Sequence, residues 1–181
     1  MKIHLKIIFI FVIFVCGIAI GSYSPITYET IKGFFIEEKI EFDPTLANEH
    51  YRDRIELFRI QNPHTSIVML GDSITESGDF RQLTGKNDII NRGIGWDTSL
   101  GLTNRLDLLG ENTKKCFILI GINDISRDIP INIIYENYKL VIVQLKAKNI
   151  KPIIQSTLYT VDRMEFNNSK VEALNEKLQK Y

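Results

Sequence analysis

Residues 66–75 read Ser-Ile-Val-Met-Leu-Gly-Asp-Ser-Ile-Thr, an apolar run that passes directly into Gly71-Asp72-Ser73. A run such as 66–70, without polar alternation, is the pattern of a strand covered on both faces, as in a parallel sheet. Three further runs follow at 88–91 (DIIN), 116–120 (CFILI) and 152–155 (PIIQ). Between the third and fourth, Ile134, Tyr138, Val141, Ile142 and Leu145 recur at helical spacing. Asp128 and Pro130 suit the start of that helix, and Lys146, Lys148 and Asn149 its end. Residues 100–109 read as a helix between the second and third strands, and Val171, Leu174, Leu178 and Tyr181 mark another after the fourth. Upstream, Ala47, Tyr51, Ile55 and Phe58 predict an amphipathic helix over 47–61, stopped by Asn62-Pro63. Strand–helix alternation of this kind predicts a three-layer α/β/α sandwich with a mostly parallel sheet. Sites in such sheets form beyond the carboxyl ends of the strands.

Three strand ends carry polar residues suited to chemistry. After the first, Ser73 stands at a helix start, preceded by a Gly that permits a tight turn. Alone, Gly-Asp-Ser reads equally as a turn or helix-capping serine. The second strand leads into Asn91-Arg92-Gly93-Ile94-Gly95-Trp96-Asp97-Thr98, a loop with exposed backbone N–H groups or an ordinary βα turn. The third ends in Gly121-Ile122-Asn123-Asp124, where Asn123 is either an amide donor toward developing negative charge or a helix cap. Thr75 stands where the second Gly of Gly-x-Ser-x-Gly would be, so the nucleophile elbow of the α/β-hydrolases is absent. No Gly-Lys-Ser/Thr occurs, which excludes a P-loop.

The serine, the glycine loop and the asparagine follow consecutive strands, in order, within 51 residues. Together they resemble the first three sequence blocks of the SGNH (GDSL-type) hydrolase superfamily. Within it, the chain is most similar to small bacterial esterases related to platelet-activating-factor acetylhydrolase. The resemblance spans 66–181 and implies a flavodoxin-like sheet. It further implies Ser73 as nucleophile, with an oxyanion hole built from the Ser73 N–H, the Trp96 N–H and the Asn123 side chain. Asp72, Gly93, Gly95 and Asp124 would support these loops. Members usually carry Gly where this chain has Trp96; a backbone N–H survives that change, while the indole either narrows the acyl pocket or packs at the loop. The implied reaction is attack of Ser73 on an ester carbonyl, then hydrolysis of the acyl-serine. It calls for no metal or organic cofactor.

Serine needs a base to take its proton, and the superfamily supplies one from a C-terminal Asp-x-x-His block. This chain has no such motif and no histidine after His64. His64 precedes the first strand and Ser73 follows it, which at ~3.3 Å per residue separates them by roughly 20 Å. His50 lies on the preceding helix and is expected away from the site; His4 lies in the leader. The final helix reaches Tyr181 with its apolar spacing still running, so the domain is expected to be incomplete at its carboxyl end. Two readings follow: an ester hydrolase of impaired activity, or a non-catalytic, membrane-tethered module that binds a glycan or protein.

The chain has 181 residues, with 22 Lys+Arg against 22 Asp+Glu, and is 44% hydrophobic and 24% charged. Neutrality argues against a nucleic-acid footprint, which needs a basic face. Cys16 and Cys116 are too few for a disulfide framework. Residues 7–20 (IIFIFVIFVCGIAI) contain no polar side chain other than Cys16 and follow Lys2 and Lys6. That is the grammar of a signal anchor or signal peptide. The expected organisation is therefore a leader at 1–23, a stalk and amphipathic helix at 24–62, and the catalytic-type domain at 63–181. The positive-inside rule places that domain outside the cytoplasm, membrane-anchored or, after cleavage, secreted or periplasmic. Expected substrates are small-molecule or glycan esters, first among them O-acetyl groups on envelope polysaccharide.

Overall fold

The computed structural model describes residues 48–61, 64–161 and 168–180. The expected leader and most of the stalk lie outside the described residues. Among the described residues no helix is long and apolar enough to cross a membrane.

Four parallel strands form one sheet: β1 (Ile67–Gly71), β2 (Ile89–Gly93), β3 (Lys115–Leu119) and β4 (Lys151–Ile154), in the order β2-β1-β3-β4. Each begins within a residue of the expected run, and β2 extends two residues further, through Gly93. The helices are α1 (Glu49–Ile60), α2 (Ser73–Glu76), α3 (Phe80–Thr84), α4 (Ser99–Thr103), α5 (Ile122–Ser126), α6 (Ile131–Ala147) and α7 (Asn168–Leu178). The helix expected over 100–109 breaks after Thr103 and resumes as a 3-10 turn at Leu106–Leu108. The reason is Arg105, whose side chain is drawn inward to hydrogen-bond the sheet end.

Register positions the site. Gly71 pairs with Gly93 on one side and with Leu119 on the other, so three adjacent strands end level. Caps then start helices just beyond that line. The Asp72 carboxylate accepts the Ile74 N–H at 3.0 Å, and the Thr98 hydroxyl accepts the Gly101 N–H at 3.1 Å. Each such cap stabilises a helix start by ~1 kcal/mol.

The core joins Val68, Leu70, Cys116, Ile118 and Ile120 of the sheet to Ile134, Tyr138, Val141 and Leu145 of α6 and Val171, Leu174 and Leu178 of α7. Each of those aliphatic side chains contributes about 1.5–3 kcal/mol by burial. The spacing of 134–145 thus predicts the buried face correctly. A separate cluster of Tyr51, Phe58 and Ile94 fastens α1 to the loop after β2. Burial pushes the Cys116 thiol up to about 12, which leaves it an inert core residue.

Candidate active site

Glycines let α2 settle onto the sheet end. A Cβ built on Gly93 would fall 2.2 Å from the Glu76 nitrogen, and one on Gly71 2.2 Å from the Leu119 oxygen. Ser73 therefore opens a helix pressed against β2, beside the ends of β1 and β3. Ser73 is exposed, while Asp72 before it and Thr75 after it are buried.

The loop after β2 is tied to this helix and to β1. The Ile94 N–H donates to the Gly71 carbonyl at 3.0 Å, and the Gly95 N–H to Glu76 Oε2 at 2.6 Å. Trp96 sits at φ +66°, the left-handed region that a bulky side chain rarely adopts. Conformations of this kind cost of order 1–3 kcal/mol and persist where the surroundings over-determine them. The Arg127 guanidinium donates to the Trp96 carbonyl at 3.1 Å, and the Trp96 indole is 64% exposed, so it does not pack into the core.

Asn123 comes from the end of β3. Its Nδ2 donates to the Asp97 carbonyl at 2.9 Å, which ties it to the same loop and leaves the second amide hydrogen of Nδ2 unengaged. The structure thus brings Ser73, the loop of Gly93, Gly95 and Trp96, and Asn123 together at one edge. Among the described residues, neither the Ser73 N–H nor the Trp96 N–H donates a backbone hydrogen bond.

Beneath them lies a buried polar scaffold. Arg105, 3% exposed, donates through Nε to the Asp97 carboxylate at 2.8 Å, with Nη2 2.7 Å from the same oxygen as an ion pair, and donates to the Arg92 carbonyl at 2.6 Å and the Gly71 carbonyl at 3.0 Å. One side chain so joins the ends of β1 and β2 to the loop. Asp124 accepts the Ser99 N–H at 2.9 Å and its hydroxyl at 2.6 Å, and Asn137 donates to the same Ser99 oxygen at 2.9 Å.

Burial disfavours charge on these carboxylates. It pushes Asp97 up to about 7 against the pull of Arg105, and Asp124 up to about 6 against its Ser99 hydrogen bonds. Asp72 rises to about 6, first from burial and then, against its Ile74 hydrogen bond, from the neighbouring Asp124. Arg92, stacked 4.4 Å from the Phe58 ring, is lowered to about 10 by burial and by Arg105 and Arg54 nearby.

Two histidines are described. His64 pairs with Asn112 at 3.2 Å, at the amino end of β1, away from Ser73 as the sequence predicts. His50 departs from expectation: α1 folds back so that its Nε2 lies 3.0 Å from both Glu76 oxygens, one helical turn from Ser73. Sequence reasoning missed Arg105, Glu76 and Arg127 as well. A lone Arg inside the apolar stretch 100–109 is the one local signal that existed. Among the described residues, no group of three His, Cys, Asp or Glu is arranged to hold a metal ion.

Fold and site together define an α/β protein with a parallel sheet and an exposed helix-start serine, at a sheet edge shared by two donor-bearing loops. The chain belongs to the GDSL-like Lipase/Acylhydrolase family, whose sequence profile matches residues 69–181. It is 28% identical over 123 residues to the N-acylneuraminate cytidylyltransferase of Streptococcus agalactiae serotype V. That stretch is 68% of this chain but only 29% of the enzyme's length, so the chain spans less than a third of the curated relatives it matches. Among solved structures it resembles a candidate platelet activating factor from Streptococcus pneumonia, at TM-score 0.62 and 28% identity, covering 71% of this chain and 66% of that one. A GDSL-like lipase from Bacteroides thetaiotaomicron shares the fold at TM-score 0.58 and 22% identity, over 74% and 72% of the two chains.

Proposed function

We propose that the chain is an ester hydrolase of the acyl or acetyl esterase type, acting outside the cytoplasm through an acyl-serine at Ser73. The observation that carries this reading is the convergence at one sheet edge. Ser73, exposed at a helix start, shares that edge with the Trp96 loop and Asn123; neither the Ser73 nor the Trp96 N–H donates a backbone hydrogen bond, and Asn123 Nδ2 keeps one hydrogen unengaged. In the reaction, Ser73 Oγ bonds to the ester carbonyl carbon and gives up its proton, and the carbonyl oxygen becomes an oxyanion held by those donors. Collapse expels the alcohol, which takes up a proton, and water then releases the acid and restores the serine.

Of the two described histidines, His50 Nε2 is engaged by Glu76 and His64 lies at the amino end of β1, so neither is placed to take the Ser73 proton. Serine proteases stripped of triad members retain ~10³–10⁴-fold acceleration over water, so slow acylation remains within reach. For the substrate, an acyl ester on a sugar is favoured, with lysophospholipid or another short acyl ester behind it. The exposed Trp96 indole offers a flat apolar face on the loop after β2, and a relative that matches over a segment of its length is named for a sugar, N-acylneuraminate. The apolar 7–20 run behind Lys2 and Lys6 supports a membrane-anchored or exported location. The engagement of His50 Nε2 by Glu76 favours, as a second reading, a non-catalytic tethered module that uses the same sheet edge to bind.

A fluorophosphonate probe on the full chain separates the two. Labelling that is lost in Ser73→Ala and falls about 10²-fold in Asn123→Ala supports the hydrolase, because one oxyanion donor is worth that much. No labelling by a folded chain that still binds acetylated glycan supports the module.

A further inference from the structure

The Glu76 carboxylate is a meeting point of three segments. Its Oε2 accepts the Gly95 N–H at 2.6 Å, and both oxygens lie 3.0 Å from His50 Nε2. Arg54 Nε stands 3.1 Å from Oε1, an ion pair whose N–H is not aligned for a hydrogen bond. Arg54 also donates through Nη2 to the Gly93 carbonyl at 3.3 Å and stacks 4.9 Å from the Phe58 ring. Its guanidinium therefore binds the same loop at a second point. Gly95 is buried and closely approached: an added Cβ would stand 3.1 Å from Glu76 Oε2 and 3.5 Å from His50 Cδ2.

The carboxylate takes the Gly95 N–H, and the next N–H along the chain, at Trp96, donates no backbone hydrogen bond. Trp96 in turn is held at φ +66°. Glu76 lies three residues after Ser73 on α2, and residues so spaced share a helix face. The group that anchors the loop thus belongs to the same short helix that carries the serine.

We propose that Glu76 is a positioning residue for this loop. By accepting the Gly95 N–H it fixes the peptide orientation that leaves the Trp96 N–H free at the Ser73 edge, while His50 and Arg54 hold the carboxylate in place. His50 then serves the loop rather than the serine. The effect on rate rests on the reading of Ser73 as nucleophile; the effect on the loop does not.

The test uses the full chain with three readouts: amide exchange at Gly95, acrylamide quenching of Trp96 (the chain's single tryptophan) and the rate of fluorophosphonate labelling of Ser73. Glu76→Leu should speed Gly95 exchange at least ~10-fold relative to the β1 amides, as expected for a lost hydrogen bond. It should also change Trp96 quenching and slow labelling about 10²-fold, the loss typical of a displaced catalytic group. Glu76→Gln keeps an acceptor and should stay within about threefold of the parent, a rescue that general destabilisation would not produce. Unchanged Gly95 exchange and Trp96 quenching in folded Glu76→Leu overturn the proposal. If Glu76→Leu does not fold, the His50→Ala/Arg54→Ala pair decides: faster Gly95 exchange supports the proposal, and parental exchange overturns it. Should the parent chain not label, the hydrolase reading fails, and exchange and quenching still decide the role of Glu76.

Discussion

Replacing Arg105 with Met should be the most informative single change outside the serine. The guanidinium is 3% exposed and gives two contacts to Asp97 and one each to the Arg92 and Gly71 carbonyls. The Gly71 carbonyl keeps the Ile94 N–H, and the Asp97 carboxylate keeps the Thr98 N–H at 2.8 Å. The carboxylate, 0% exposed, otherwise loses its counter-ion. Breaking a buried pair in this way costs about 3–5 kcal/mol. For a chain of this size that lowers Tm by roughly 2–4 °C per kcal/mol, hence by about 6–20 °C.

The sign of the pH dependence follows from Asp97. Its folded pKa, raised to about 7 from 3.8, means that stability is fullest below the unfolded value and is lost as pH rises through the folded one. Without Arg105 the folded value rises further, so the gap between variant and parent should widen from pH 5 to pH 8. Asp97→Asn added to Arg105→Met should recover part of the loss at pH 8, since no charge is then buried. Thermal melts followed by circular dichroism at the two pH values measure all of this. A Tm drop under about 3 °C at pH 8, equivalent to ~1 kcal/mol, would refute the reasoning. So would a gap that does not change with pH.

Two further substitutions test how the loop and α2 are fitted to the sheet. Gly93→Ala must push a Cβ to 2.2 Å from the Glu76 nitrogen and 2.7 Å from the Thr75 carbonyl carbon. Backbone on both sides cannot yield, so a loss of about 3 kcal/mol or more is expected by urea denaturation, at the upper end for overpacking. Trp96→Gly should be more stable than Trp96→Ala by about 1 kcal/mol, because only glycine enters the left-handed region without strain. Equal urea midpoints for those two variants would mean that Trp96 is not held at positive φ in solution.

Much of this arrangement is legible in the sequence. Parallel strands buried on both faces read as continuous apolar runs, and 66–70 and 116–120 are such runs. The apolar spacing over 134–145 located the buried face of α6, because helix period and burial are the same local fact. Ser73, Trp96 and Asn123 are singled out by the resemblance to the GDSL-type hydrolases, and the strands' common register brings the strand ends that precede them level. Boundaries were less legible. The helix read over 100–109 breaks because Arg105 turns inward to partners set by the fold.

What the sequence by itself determined is therefore local: the alternation of strands and helices, the parallel sheet they make, and the serine, loop and asparagine at its carboxyl edge. Only the tertiary structure decided how that edge is braced. Arg105 reaches a carbonyl 34 residues away, His50 reaches a carboxylate 26 residues away, and Asn123 holds a carbonyl 26 residues away. Such pairings leave no periodic trace, since they depend on which loop ends meet when separate elements pack. The same physics reassigns His50 from a helix distant from the site to a contact one turn from Ser73, made through Glu76.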